Sequence, residues 1–176
     1  LETFEAEYGW MYETTDSRTK KPCSINYTVW SEIFTCPHCS KEIEFWSLAY
    51  DEESGKISEI SKCPHCNSEV SKRDLTRKTT SFFDPALNKT RHRQLLKPVL
   101  IHYDCNGHKR HKTPDVDDLQ VIKRIEQLLP DLTYPTELMM FTPERNEWGD
   151  LYRGYHEGIW RVHDFHLPRQ LATASI

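Results

Sequence analysis

Glycine is scarce in this chain, six among 176 residues. The six are too scattered to form a Gly-rich phosphate loop, which removes the common nucleotide-binding signatures. No G-x-S-x-G elbow is present either, so an esterase-type nucleophile is not indicated. No apolar run approaches the ~20 residues of a membrane span, and no signal peptide is visible. A cytoplasmic location without membrane contact is therefore the expectation. The chain opens at Leu1 rather than Met and is read as a piece of a longer protein. Apolar residues make up only 37%, yet five Trp, eight Tyr and seven Phe provide bulky core material.

A net charge of −4 argues by itself against nucleic acid, but the charge is unevenly spread. From Glu69 to Lys112 the chain carries eleven Lys/Arg and four Asp/Glu, a local +7, which leaves −11 for the remainder. Such asymmetry predicts one basic face on an acidic body, or alternatively a solvated loop region.

Two copies of one tetrapeptide stand out. Cys36-Pro37-His38-Cys39 is answered by Cys63-Pro64-His65-Cys66, with 23 residues between them. A C-x-x-C turn aims two thiolates at one point, and two such turns complete a tetrahedral site that suits zinc. Glu42 to Tyr50, the acidic turn Asp51-Glu52-Glu53-Ser54-Gly55-Lys56, and Ile57 to Ile60 read as strand, turn, strand. Knuckle, hairpin, knuckle is the plan of a zinc ribbon. Two disulfides, or a redox CxxC pair, are the competing readings. Nothing signals secretion, and a redox CxxC belongs at a helix start in a βαβ setting. Four thiolates saturate the ion, so His38 and His65 fill the turns and the metal is structural.

Elsewhere, Phe4, Tyr8, Trp10 and Tyr12 suggest an N-terminal strand or hairpin arm ahead of a polar loop to Pro22. Strands are expected at residues 25–30, 79–83 and 98–103, the last followed by an Asn106-Gly107 hairpin turn. Cys23 is read as a small buried residue, and neither it nor Cys105 as a ligand. Thr113 as cap and Pro114 at the first position predict a helix over 114–129. Its stripe of Val116, Leu119, Ile122, Ile125 and Leu129 is expected to pack on a sheet. Residues 131–158 read as a long irregular connection. Ile159 to Phe165 resumes as strand or turn, and Leu167 to Leu171 opens a last helix.

Catalytic chemistry is sparse. His163-Asp164-Phe165-His166 gathers two imidazoles and a carboxylate, which fits a metal site or nuclease fragment but more commonly serves ordinary hydrogen bonding. Asp84-Pro85 continues as Ala86-Leu87 and lacks the aromatic of the amino-methyltransferase Asp-Pro-Pro-Tyr motif.

Several segments in order resemble the zinc-bearing middle section of a family of prokaryotic DNA methylases. They are Tyr8-Gly9-Trp10-Met11-Tyr12, Ile25-Asn26-Tyr27-Thr28-Val29-Trp30-Ser31, the two knuckles, Pro98-Val99-Leu100-Ile101 and Tyr134-Pro135-Thr136. Gly149-Asp150-Leu151-Tyr152-Arg153 with Gly154-Tyr155-His156 continues the series, as does His163-Asp164-Phe165-His166-Leu167-Pro168-Arg169-Gln170-Leu171. The last departs from the family's pattern at His166 and Leu167, where an aromatic and Thr usually stand. The resemblance implies an insert of an S-adenosylmethionine-dependent, adenine-specific amino methyltransferase, with the catalytic motif and cofactor loop outside this piece. Double-stranded DNA and the rest of the methyltransferase chain are then the expected partners, and S-adenosylmethionine is expected only of the full-length protein. The basic stretch would supply phosphate contacts through Lys72, Arg73, Arg77, Lys78, Arg91, Arg93, Lys109, Arg110 and Lys112.

The expected architecture is α+β: strand-rich, with a four-cysteine zinc ribbon, further antiparallel strands and one to two helices. An N-terminal arm and strand over 1–32 leads into the ribbon over 33–71. The remaining 72–176 hold basic strands, the helix and a last truncated helix. The expected zinc ligands are Cys36, Cys39, Cys63 and Cys66. A zinc-ribbon protein-interaction module within a DNA-modification or defence complex is the alternative function.

Overall fold

A computed structural model of the protein describes residues 2–51, 55–138 and 159–175, with side chains from Glu5 onward. Glu52-Glu53-Ser54 of the acidic turn, most of the expected long connection and the motif at 149–156 lie outside these residues, as does the Phe4 side chain.

The architecture is α+β and strand-rich, with antiparallel pairing wherever strand register is defined. The strands are β1 (Glu13–Thr15), β2 (Pro22–Thr35), β3 (Glu42–Glu44), β4 (Tyr50–Asp51), β5 (Lys56–Ile57) and β6 (Ile60–Lys62). They continue as β7 (Glu69–Ser71), β8 (Thr76–Arg77), β9 (Thr79–Asp84), β10 (Lys89–Gln94), β11 (Leu96–Cys105) and β12 (His108–Lys112). The helices are α1 (Glu2–Tyr8), α2 (Phe45–Ala49), α3 (Val116–Leu128) and α4 (Pro168–Ser175). The chain forms two compact units, neither of them one continuous stretch. The first comprises Leu1–Tyr27, Ser81–Arg93 and Ile101–Ile176, and the second Thr28–Thr80 with Gln94–Leu100.

In the second unit the later part of β2 pairs with β3 (Phe34 opposite Ile43) and with β8 (Phe34 opposite Arg77). The buried core is Phe34, Ile43, Val70 and Leu75 together with Cys36 and Cys63, flanked by Phe45 and Leu48. The stretch expected as one long strand, residues 42–50, is broken by α2. Two contacts reward that turn of helix. Trp46 donates its backbone N–H to Ser31 Oγ at 2.9 Å, and Phe45 meets Phe34 with ring centroids 5.6 Å apart. The expected hairpin survives as the short pair β4–β5, while β6 pairs with β7 across the second knuckle.

In the first unit β1, β2, β11 and β12 lie in that order, so β12 is an edge. Along β11 the inward positions Ile101, Tyr103 and Cys105 are buried and alternate with His102 and Asp104, the period of a strand with one covered face. Asn106 and Gly107 both have positive φ, 54° and 80°, the primed turn that matches strand twist. Cys23 and Cys105 form a disulfide between neighbouring strands. Both are buried, as expected of Cys23, but their pairing was not expected.

The N-terminal aromatics do not form a strand. α1 and a 3-10 turn, Gly9–Tyr12, carry Met11 into a core with Ile125 and Ala172. α3 therefore packs on this segment and on α4 rather than on a sheet. Its buried stripe starts later than expected, since Val116 and Leu119 are 69% and 47% exposed. The helix also starts two residues late. Asp115, not Thr113, is the cap, accepting from the N–H groups of Asp117 and Asp118 at 3.1 Å while Asp118 accepts from Asp115 N–H.

Candidate metal centre and basic surface

The four knuckle cysteines converge. Cys36 Sγ lies 3.8 Å from Cys66 Sγ, Cys39 Sγ lies 3.9 Å from Cys63 Sγ, and all four sulfurs fall within 4.8 Å of one another. Zinc–sulfur bonds of ~2.3 Å at the tetrahedral angle place sulfurs ~3.8 Å apart, so the spacing fits one metal ion. Each knuckle is a closed turn. Cys36 N–H donates to Lys41 O and Ser40 N–H to Cys36 O, both at 2.9 Å; Cys63, Ser68 and Asn67 repeat this at the same distances. Ser40 and Asn67 take the left-handed φ, 58° and 64°, that such a turn needs. Ser68, through its hydroxyl and its backbone, holds the Cys66 thiol down at about 6. The Lys41 backbone likewise lowers Cys39, but burial and the three other sulfurs outweigh it and raise that thiol to about 11. Four sulfurs held this close are suited to giving up their protons to one cation.

Neither knuckle histidine belongs to the four-sulfur cluster. His65 donates Nε2–H to the Glu42 carbonyl at 2.9 Å, tying its turn to β3, and His38 is exposed.

A third turn of the same build was not anticipated. Asp16 N–H donates to Lys21 O at 2.9 Å, Lys20 N–H donates to Asp16 O at 3.0 Å, and Lys20 has φ 58°. Asp16 stands where a knuckle has its first cysteine and Thr19 where it has its second. Buried Asp16 accepts from Thr19 N–H and Oγ1, from Tyr103 hydroxyl at 2.7 Å and from Arg110 Nη1 at 2.9 Å. Tyr103 first, then Thr19 and Arg110, hold its carboxyl far below the usual carboxylate range. The signal in the sequence was Asp-x-x-Thr followed by two lysines, invisible to a search for cysteine pairs.

Asp84, His163 and Asp164 also gather within metal-binding range. Their cation is already present. Arg91, 9% exposed, donates Nη1 to Asp84 at 2.7 Å and to Asp164 at 2.8 Å, and Nη2 to Asp164 at 2.6 Å. His163 Nε2 lies 2.9 Å from Asp84. Burial raises the Asp84 carboxyl, but Arg91 and His163 outweigh it and leave it lowered. This is a buried hydrogen-bonded ion network, as the common reading of the His-Asp cluster expects. His166, exposed, is no part of it.

The nine cations expected to meet DNA divide sharply. Arg91 and Lys112 are corrected: both are buried in ion pairs and present no charge to a phosphate. Lys112, 7% exposed, bonds Asp115 at 2.7 Å, Asp118 at 2.8 Å and the Thr15 carbonyl. Lys72 is pinned between Glu32 and the Phe45 ring, and Arg77 reaches Glu32. Lys78 bonds Glu42, and Arg93 lies over Phe82 with Glu126 3.6 Å away. Arg110 serves Asp16. Among the described residues, Arg73 and Lys109 are exposed and make no ion pair.

Compared with known proteins, the chain matches no family model, no curated protein and no solved structure. No helix among the described residues is long and apolar enough to cross a membrane.

Proposed function

We propose that the chain is a zinc-ordered DNA-recognition insert of an adenine-specific DNA methyltransferase, itself without catalytic groups. The observation that carries the reading is the closed four-sulfur site on a chain whose cations cluster in one segment. Four thiolates leave no open position for water or substrate, so the ion, proposed as zinc, holds structure rather than performing chemistry. Exposed Arg73 and Lys109 supply charge that no carboxylate of the described residues pairs with, and the exposed, paired cations Lys72 and Arg93 add charge that a phosphate competes for. S-adenosylmethionine and the flipped adenine would be handled by the remainder of the enzyme.

The test is fluorescence anisotropy of labelled duplex DNA with the zinc-loaded chain across a salt series. Binding should weaken steeply, with a log–log slope corresponding to several phosphates. Absence of binding at low salt rejects the reading. Ile57 and Ile60, 61% and 66% exposed on the ribbon, favour a second one: a protein-interaction module whose anchors are these two side chains. Loss of partner capture on Ile60→Asp, with DNA binding absent, would establish it.

A further inference from the structure

A cleft of about 460 Å³ opens where the Asp16 turn meets the edge strand β12. Its volume falls within the range of small-molecule sites, roughly 300–1,000 Å³, so it admits a nucleotide-sized group and not merely a bare ion. Arg18 and Ser17 line it from the turn, and His108, Lys109, Arg110 and His111 from the strand, with the Tyr103 ring behind them. No carboxylate is among the described residues that line it. Two carboxylates that neighbour the lining residues, Asp16 and Asp104, are already engaged. Asp16 is buried against Arg110, Tyr103 and Thr19, and Asp104, opposite Lys109 in register, accepts from Gly107 N–H at 2.7 Å.

We propose that this cleft is a phosphate-binding subsite. Three permanent cations, Arg18, Lys109 and Arg110, line it against the two neighbouring carboxylates of Asp16 and Asp104, leaving a positive excess before either histidine is protonated. Arg18 and Lys109 make no ion pair among the described residues. Arg110 is the anchor. Its bonds to Asp16 run through Nη1 alone, so Nε–H and Nη2–H₂ remain without a partner among the described residues. A guanidinium fixed at one nitrogen and open along its other edge is preorganised for two oxygens of one phosphate. The turn that in the ribbon closes on thiolates here closes on an arginine and leaves that arginine facing outward.

A phosphodiester of DNA and a free phosphate ester share this chemistry. The phosphate assignment stands on the cleft's own lining; the choice of a DNA phosphate rests on the DNA-recognition reading, and the experiment separates them. Zinc-loaded full chain, its Arg18→Ala/Lys109→Ala double variant and a Lys123→Ala control are titrated with labelled duplex across salt. The same proteins are titrated with a 5′-mononucleotide while the His108 and His111 ring protons are followed by NMR. Both substituted side chains are exposed and hold no other element, so the double variant keeps the fold.

The expected result is a loss of duplex affinity of about tenfold or more and a salt slope shallower by about 2, with Lys123→Ala unchanged. Wild-type duplex binding that the double variant retains in full overturns the cleft while leaving the DNA reading intact. Mononucleotide shifts that vanish in the double variant, with no duplex binding, uphold a phosphate site for small esters and reject the DNA source. No response to either probe overturns the proposal.

Discussion

Arg91 offers the sharpest test of how the first unit is held together. Its side chain is 9% exposed and its two carboxylate partners, Asp84 and Asp164, are 1% and 5% exposed. Arg91→Ala removes the permanent cation that bonds both of them and strands both charges away from water. Breaking a buried pair by deleting one partner costs about 3–5 kcal/mol. At the few degrees per kcal/mol typical of a domain this size, the melting temperature should fall by about 10–20 °C. The pH dependence distinguishes this from a simple packing loss. In the wild type the Asp84 carboxyl is lowered, so its stabilisation is present above the unfolded carboxyl value and disappears as pH falls through the folded one. In the variant, burial acts without Arg91 and pushes the Asp84 carboxyl up, so its protonation relieves the strain. The gap between the two proteins should be widest at pH 7 and should shrink towards pH 4. Arg91→Lys, which keeps charge but not the two-pronged bond to Asp164, should fall between. Calorimetric melts of the three proteins across that range are the assay. A penalty under about 1 kcal/mol, or a gap that stays constant from pH 7 to pH 4, would refute the reasoning.

Cys36→Ser, or chelation, should unfold the second unit, because structural zinc contributes about 10 kcal/mol or more, as much as a domain's whole stability. Metal analysis should give one zinc per chain, and a variant that melts like the wild type would disprove the assignment. Replacing Cys23 and Cys105 by serine removes a cross-link spanning 82 residues and should lower stability by about 2–4 kcal/mol in denaturant titrations under oxidising conditions, with little difference under reducing ones. Asp115→Ala should cost about 1 kcal/mol through the lost cap, and more where Lys112 loses its partner; helix content by circular dichroism during melting would report it.

The legible parts of the fold were those written in adjacent residues. The knuckles, the Asn106-Gly107 turn and the periodicity of α3 each depend on groups a few positions apart. What escaped depends on distance in sequence. Arg91 read as surface charge because its partner Asp164 lies 73 residues further on, and Lys112, although Asp115 and Asp118 follow it closely, is drawn inward to the Thr15 carbonyl 97 residues upstream. Cys23 and Cys105 showed nothing of their pairing, since connectivity is not encoded in spacing. α1 was misread because aromatic residues favour strands locally, while burial of Met11 against Ile125 and Ala172 decides the matter. α2 was misread for the same reason, its Ser31 contact lying fifteen residues upstream.

The Asp16 turn bears on how the ribbon acquires its ion. It holds the hydrogen bonds and the left-handed fifth residue of a knuckle with no thiol in place, so that backbone shape needs no metal to bend it. The two cysteine knuckles carry the same backbone bonds, so the ion proposed between them would close turns that hydrogen bonding already favours. Metal capture should then proceed in two steps: a rapid two-sulfur encounter at either knuckle, followed by a slower closure that draws the second knuckle across the hairpin. Because binding an ion at such a site is coupled to folding, that closure is the step through which the metal would set the ribbon's lifetime.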